Sequence, residues 1–128
     1  MQMKPPIIAV VDDEESVRRA LYRLLCSSGF DVLVYASGRD FLRHVPSIPV
    51  DCVVLDLNLG DHSGLDVLLA LSAVLLLIPV VVLTGNDTST NRARALTTGA
   101  HAYLTKPIED ELLIDAIVSA IRSRSPGA

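Results

Sequence analysis

Aromatic residues supply only 4% of this 128-residue chain, so aliphatic side chains must build its core; a hydrophobic content of 50% is ample for that. Cysteine is scarce too. Cys26 and Cys52 lie far apart, have no C-x-x-C spacing and sit in apolar segments, so both are expected as buried, reduced thiols of a cytosolic protein. Positive charge is in deficit: 11 Lys and Arg against 15 Asp and Glu leave a net charge of −4. That balance gives no footprint for direct nucleic-acid binding and disfavours an anionic membrane surface. The first six residues lead straight into a short apolar run and then acids, so no signal peptide is expected. Residues 67–83 carry no charge and approach membrane-span length. Pro79 interrupts them and their second half is β-branched, which predicts a helix and then a strand rather than a span.

What is present is a rhythm. The length suits one domain, and short apolar runs alternate with helical patterns, as in a parallel sheet with crossover helices. Strands are expected at 7–11, 31–36, 50–55, 80–83 and 101–105. The first of these is continuously aliphatic, as a strand buried on both faces should be. Helices are expected over 13–28 with Asp13 as cap, from Ser37 to before Pro46, from about Ser63, from Asp87 or Thr88 to Thr98, and over 108–124. Val17, Leu21, Leu24 and Leu25 form the apolar stripe of the first helix. Leu112, Leu113, Ala116, Ile117, Ala120 and Ile121 form that of the last, and Leu65, Leu68, Leu69 and Ser72 that of the third. The result is a single α/β domain of five βα units, with a frayed tail or the start of a linker at 123–128.

In open parallel sheets, sites form at the carboxyl ends of the strands. There the first strand delivers Asp12 and Asp13, the third Asp56, the fourth Thr84, and the fifth Lys106 followed by Pro107. Carboxylates gathered in one small site need a counter-charge, because each raises the pKa of its neighbours. An all-oxygen set of this kind suits magnesium. Phosphoryl transfer asks for little more than an in-line nucleophile, a metal and further donors for the developing charge. Asp56 can be the nucleophile, Lys106 can neutralise a phosphoryl oxygen, and Thr84 can donate to another.

The segments Val11-Asp12-Asp13-Glu14, Val54-Leu55-Asp56-Leu57-Asn58, Leu83-Thr84-Gly85 and Tyr103-Leu104-Thr105-Lys106-Pro107 together resemble the signature of response regulator receiver domains. Each is weak alone; four in register on expected strand ends are strong. The stretch 35–42, Tyr-Ala-Ser-Gly-Arg-Asp-Phe-Leu, resembles the FixJ-like branch, whose receivers precede a LuxR-type helix-turn-helix domain. The resemblance implies a doubly wound, flavodoxin-like (βα)5 fold with strand order 2-1-3-4-5, filling residues 1–122. It also implies that Asp56 accepts a phosphoryl group from a histidine kinase, with autodephosphorylation but no turnover of a metabolite. Asp12 and Asp13 would hold Mg2+, Asp13 more directly, with Asp56 and the backbone carbonyl of Asn58 completing the protein ligands. Thr84 and Lys106 would bind the phosphoryl group. Tyr103 would turn inward as Thr84 moves, and Pro107 would follow a cis peptide bond.

On that resemblance the domain is the regulatory part of a cytoplasmic transcriptional regulator in a two-component system; the alternative is a stand-alone receiver acting through protein contacts. A homodimer would use the face made by the fourth helix, fifth strand and fifth helix. The usual Pro-Gly pair is replaced by Gly60 and Asp61, while Gly64 is kept. Asn58 and Asn86 hold positions that tune dephosphorylation in the family. A haloacid dehalogenase-like phosphatase would carry D-x-D on its first strand, and here those acids are adjacent. A docking domain with a vestigial site would not keep the whole set. His44, His62 and His101 lack metal-ligand spacing, and Arg18, Arg19 and Arg23 read as a solvated helix face, with kinase docking a lesser possibility. Leu75–Leu77, leading into Pro79, are expected either to tuck under the fourth helix or to offer an apolar contact for self-association or a partner domain.

Overall fold

A computed structural model describes residues 4–44, 49–59, 62–73, 78–85 and 87–124. Strand β1 (Ile7–Val11) is followed by α1 (Glu15–Ser27), and β2 (Asp31–Tyr35) by α2 (Gly38–His44). Next come β3 (Cys52–Leu55), the short β4 (Asn58–Leu59) and β5 (His62–Ser63), and α3 (Gly64–Ala73). Strand β6 (Val80–Thr84), α4 (Ser89–Thr98), β7 (Ala102–Thr105) and α5 (Asp110–Arg124) complete the chain order.

Five strands form one parallel sheet in the order β2-β1-β3-β6-β7. Counted among themselves these strands run 2-1-3-4-5, as expected. The aliphatic runs follow from burial on both faces. On β1, Ile8 and Val10 join a cluster with Leu21 and Leu25 of α1 and Leu113, Ile117 and Ala120 of α5. Ala9 and Val11 face the other way, toward Phe41 of α2, Val67, Leu68 and Leu71 of α3, and Ala95 of α4. Each fully buried Val, Leu or Ile side chain contributes about 1.5–3 kcal/mol of transfer free energy, which gives this aliphatic core its weight.

Local chemistry sets the helix ends. Ser37 Oγ accepts from the Asp40 amide at 3.2 Å, and Thr88 Oγ1 from the Asn91 amide at 3.0 Å. Gly99 closes α4 with φ of 118°, a left-handed backbone that side chains disfavour. Helix α1 corrects the expectation: it starts at Glu15 and Glu14 is its cap residue, without a side-chain bond. Asp13 stands one residue before the cap position. Asp12 Oδ1 accepts from the Glu14 amide at 2.9 Å instead.

Several expected core residues are outside. Leu69 and Leu112 are exposed, at 55% and 52%, beside the buried Leu68 and Leu113. One residue along a helix turns the side chain by about 100°, so the buried face is limited in width and a run of apolar residues must leave some of its members outside it. On α3 it is Val67 and Leu71 that accompany Leu68 inward. Cys26, one residue past the buried Leu25, is exposed for the same reason, while Cys52 is buried as expected. The segment 67–83 does divide into a helix and a strand, and among the described residues no helix is long and apolar enough to cross a membrane. Leu75–Leu77 lie outside the described residues.

Candidate functional site

The carboxyl ends of the central strands converge as the strand order requires. Asp12 leaves β1 with its amide bonded to the Tyr35 carbonyl of β2 at 3.1 Å, and Asp56 leaves β3 with its amide bonded to the Val11 carbonyl at 3.0 Å. Both side chains are buried. Thr84 ends β6 fully buried, and its carbonyl accepts from the Lys106 amide at 2.9 Å, which carries Lys106 off the end of β7. The Lys106–Pro107 peptide is cis.

Lys106 Nζ sits between the two buried acids, 2.9 Å from Asp12 Oδ2 and 3.1 Å from Asp56 Oδ2, with the exposed Glu14 at 3.7 Å. Burial raises the pKa of Asp12; the bond from Lys106 and the Glu14 amide oppose that rise without cancelling it, and the nearby Asp56 adds to it. Burial pulls Lys106 down, but its bonds and charge interactions with Asp12 and Asp56 more than offset that, so its pKa is raised.

One carboxylate oxygen each from Asp12, Asp13 and Asp56 can be chosen so that all three lie within 4.8 Å of one another, and Asp13 stands exposed at the mouth. Lys106 bonds to two of these three carboxylates. A set made only of hard oxygen donors fits magnesium or a similar hard cation.

A short ladder follows β3, unanticipated because two-residue strands show no periodicity. Asn58 pairs with Ser63 and Leu59 with His62. The Asn58 amide donates to Asp56 Oδ1 at 3.0 Å, and the Gly64 amide to the Leu57 carbonyl at 2.9 Å. A Cβ at Gly64 would collide with the Asp56 carbonyl oxygen and Leu57 Cα, so only glycine lets α3 begin this close to the end of β3. Gly60, Asp61 and Asn86 lie outside the described residues.

Tyr103 of β7 is buried, with its ring under the Arg92 guanidinium at 4.7 Å from ring centroid to Cζ. Its Oη makes no hydrogen bond of good geometry. Burial raises its pKa and the neighbouring Asp87 carboxylate raises it further. Asp87 Oδ2 also lies 3.5 Å from Arg92 Nη2.

Two of the histidines have partners elsewhere, and the side chain of His62 lies outside the described residues. His44 stacks edge-on with Tyr35 at 5.6 Å, and His101 Nε2 lies 3.2 Å from Ser119 Oγ. The expected arginine face splits: Arg19 pairs with Glu15 at 2.8 Å in solvent, Arg23 is exposed, and Arg18 is half-buried and bonds back to the Asp12 carbonyl. Helical spacing alone did not separate Arg18 from its neighbours.

The family model described as "Response regulator receiver domain" matches residues 8–118. Nodulation protein W of Bradyrhizobium diazoefficiens is 37% identical over 114 residues, 89% of this chain and 50% of its own length. Transcriptional regulatory protein FixJ of Rhizobium meliloti is 35% identical, over 88% of this chain and 55% of its own length. This chain thus spans about half the length of the curated relatives it matches. Full-length FixJ from B. japonicum superimposes with a TM-score of 0.90 at 32% identity, covering 97% of this chain and 61% of that one. A receiver domain from Clostridium thermocellum gives 0.87 at 30% identity, covering 93% and 96%.

Proposed function

The chain belongs to the response regulator receiver domain family, and from that premise we propose that it is a phosphorylation switch whose acceptor is Asp56. The observation that carries this reading is the Lys106 ammonium held by hydrogen bonds between the buried carboxylates of Asp12 and Asp56.

A carboxylate oxygen of Asp56 attacks phosphorus in the phosphohistidine of a kinase. The new O–P bond forms as the P–N bond breaks, and the imidazole leaves with the electron pair. Asp12, Asp13, Asp56 and the Asn58 backbone carbonyl would hold Mg2+, which would supply charge neutralisation for the transferring phosphoryl oxygens. Lys106 passes from its carboxylate partners to a phosphoryl oxygen, and the Thr84 hydroxyl donates to another. Loss of the phosphoryl group to water resets the site. Drawing Thr84 toward the phosphoryl group favours the inward Tyr103 and reshapes the face of α4, β7 and α5, where a second copy would dock. Switching also needs a partner that prefers the phosphorylated state.

The receiver unit runs to the end of α5 at Arg124, two residues past the expected boundary at 122, and works in the cytoplasm without membrane or direct nucleic-acid contact. Its output is transcriptional, in keeping with relatives named as transcriptional regulators; a stand-alone receiver is the alternative. The test is incubation with Mg2+ and acetyl phosphate. One acid-labile phosphoryl group per chain is expected on wild type and none on Asp56→Asn; equal labelling of that variant overturns the assignment.

A further inference from the structure

Arg18 belongs to the first full turn of α1, where a solvated arginine would be ordinary. Its neighbours behave that way: Arg19 lies in solvent beside Glu15 and Arg23 is exposed. Arg18 is half-buried instead, and its Nη1 donates to the backbone carbonyl of Asp12 at 2.9 Å. Helix geometry explains the reach. Side chains lean toward the helix N-terminus, so a long one near the start of α1 returns to the strand the helix came from.

That carbonyl belongs to the peptide joining Asp12 to Asp13, the two acids offered by β1. The Asp12 amide is already fixed by the Tyr35 carbonyl at 3.1 Å, and its side chain by the Glu14 amide and Lys106 at 2.9 Å each. The Arg18 bond holds the remaining polar atom of that residue. With it the peptide plane is set, and with the plane the direction in which the exposed Asp13 leaves the chain. A planar, permanently charged donor suits such a post, being less strongly hydrated than an ammonium.

We infer that Arg18 is a positioning residue for the acid pair, orienting the Asp12–Asp13 peptide so that Asp13 meets Asp56 at the cation site. This rests on the proposed phosphoacceptor reading. It assigns Arg18 no contact with the phosphoryl group.

The experiment compares wild type with Arg18→Met, which keeps the stem and loses the donors. Calorimetric titration with Mg2+ alone should show affinity about tenfold weaker in the variant, the lower end of the loss usual when a residue that orients metal ligands is removed. Metal-free protein should show displaced amide resonances at Asp13 and Glu14. Labelling by acetyl phosphate should slow at low Mg2+ and return to the wild-type maximum at saturating Mg2+. Equal Mg2+ affinity with unmoved Asp13 and Glu14 amides overturns the inference, and so does a labelling defect that saturating Mg2+ leaves in place. Should Arg18→Met fail to fold, Arg18→Gln carries the same comparisons. If wild type itself neither binds Mg2+ nor labels, the phosphoacceptor reading fails, and the metal-free amide shifts alone then decide whether Arg18 sets the peptide.

Discussion

The Arg92 guanidinium covers the ring of Tyr103, 4.7 Å from its centroid, and the same guanidinium lies 3.5 Å from the Asp87 carboxylate. A residue of α4 thus closes the tyrosine in, and a residue of the loop before α4 steadies it. Arg92→Ala should free the ring. Expected are increased solvent accessibility of Tyr103 in aromatic NMR and a loss of about 0.5–1 kcal/mol, the usual worth of a partly exposed cation–π contact. An unchanged Tyr103 environment would mean the cover is incidental.

Tyr103 also buries a hydroxyl that finds no good partner. An unpaired buried group is a cost, and removing it is nearly neutral or favourable. Tyr103→Phe should therefore lose no more than a few tenths of a kcal/mol in urea unfolding. If phosphoryl analogues act through this ring, beryllofluoride should shift the Tyr103 resonances in wild type; a spectrum that stays still at this position removes the aromatic from the switch.

Asp12 and Lys106 make opposite demands at opposite ends of the pH scale. With its folded pKa raised, Asp12 binds its proton more tightly in the folded chain. Its contribution is fully present below the unfolded value of 3.8 and is lost as pH rises through the folded pKa. Near neutral pH its charge is then a net burden, and Asp12→Asn should stabilise by roughly 0.5–2 kcal/mol, the common yield of a favourable single change. The stability difference between variant and wild type should shrink as pH falls below neutral. A variant less stable at neutral pH would show that the Lys106 bond outweighs burial.

Lys106 behaves conversely. Its raised pKa contributes stability below the unfolded value of 10.5, lost as pH rises through its folded pKa. Lys106→Met leaves Asp12 and Asp56 facing each other without a counter-charge, and roughly 3 kcal/mol should be lost near neutral pH. Part of that should return on acidification, as Asp12, whose pKa burial already raises, takes up its proton. Denaturation of the variant in urea at several pH values checks both size and direction.

Gly64→Ala places a methyl group against the backbone of Asp56 and Leu57. Backbone cannot step aside as a side chain can, so the loss should be at least about 1–3 kcal/mol, the usual cost of overpacking. The loop after β3 should shift as well, seen as a displaced Asn58 amide. At Gly38 the corresponding obstacle is a Val67 side-chain methyl, so Gly38→Ala should be milder.

Much of this was legible because parallel strands buried on both faces write themselves as unbroken aliphatic runs, and the next residue falls at the sheet edge. Asp12, Asp56, Thr84 and Lys106 were found in that way. The signal fails where geometry is finer than the pattern. Leu68 and Leu69, or Leu112 and Leu113, are equally apolar letters, and only the helix's rotation about its axis decides which is inside. The β4–β5 ladder is too short to have a period. Arg18 and Arg92 look like any surface arginine, since their partners are a carbonyl and a ring brought near only by folding.

The Lys106 ammonium bonds to Asp56 across 50 residues of sequence and to Asp12 across 94. Chain synthesis reaches both acids long before it reaches the lysine. A chain that stops before residue 106 therefore carries its carboxylates without the cation that gathers them, whatever helices it has already formed. The three-residue arrangement is in that sense a mark of topology: it comes into being only when the final strand has docked beside β6.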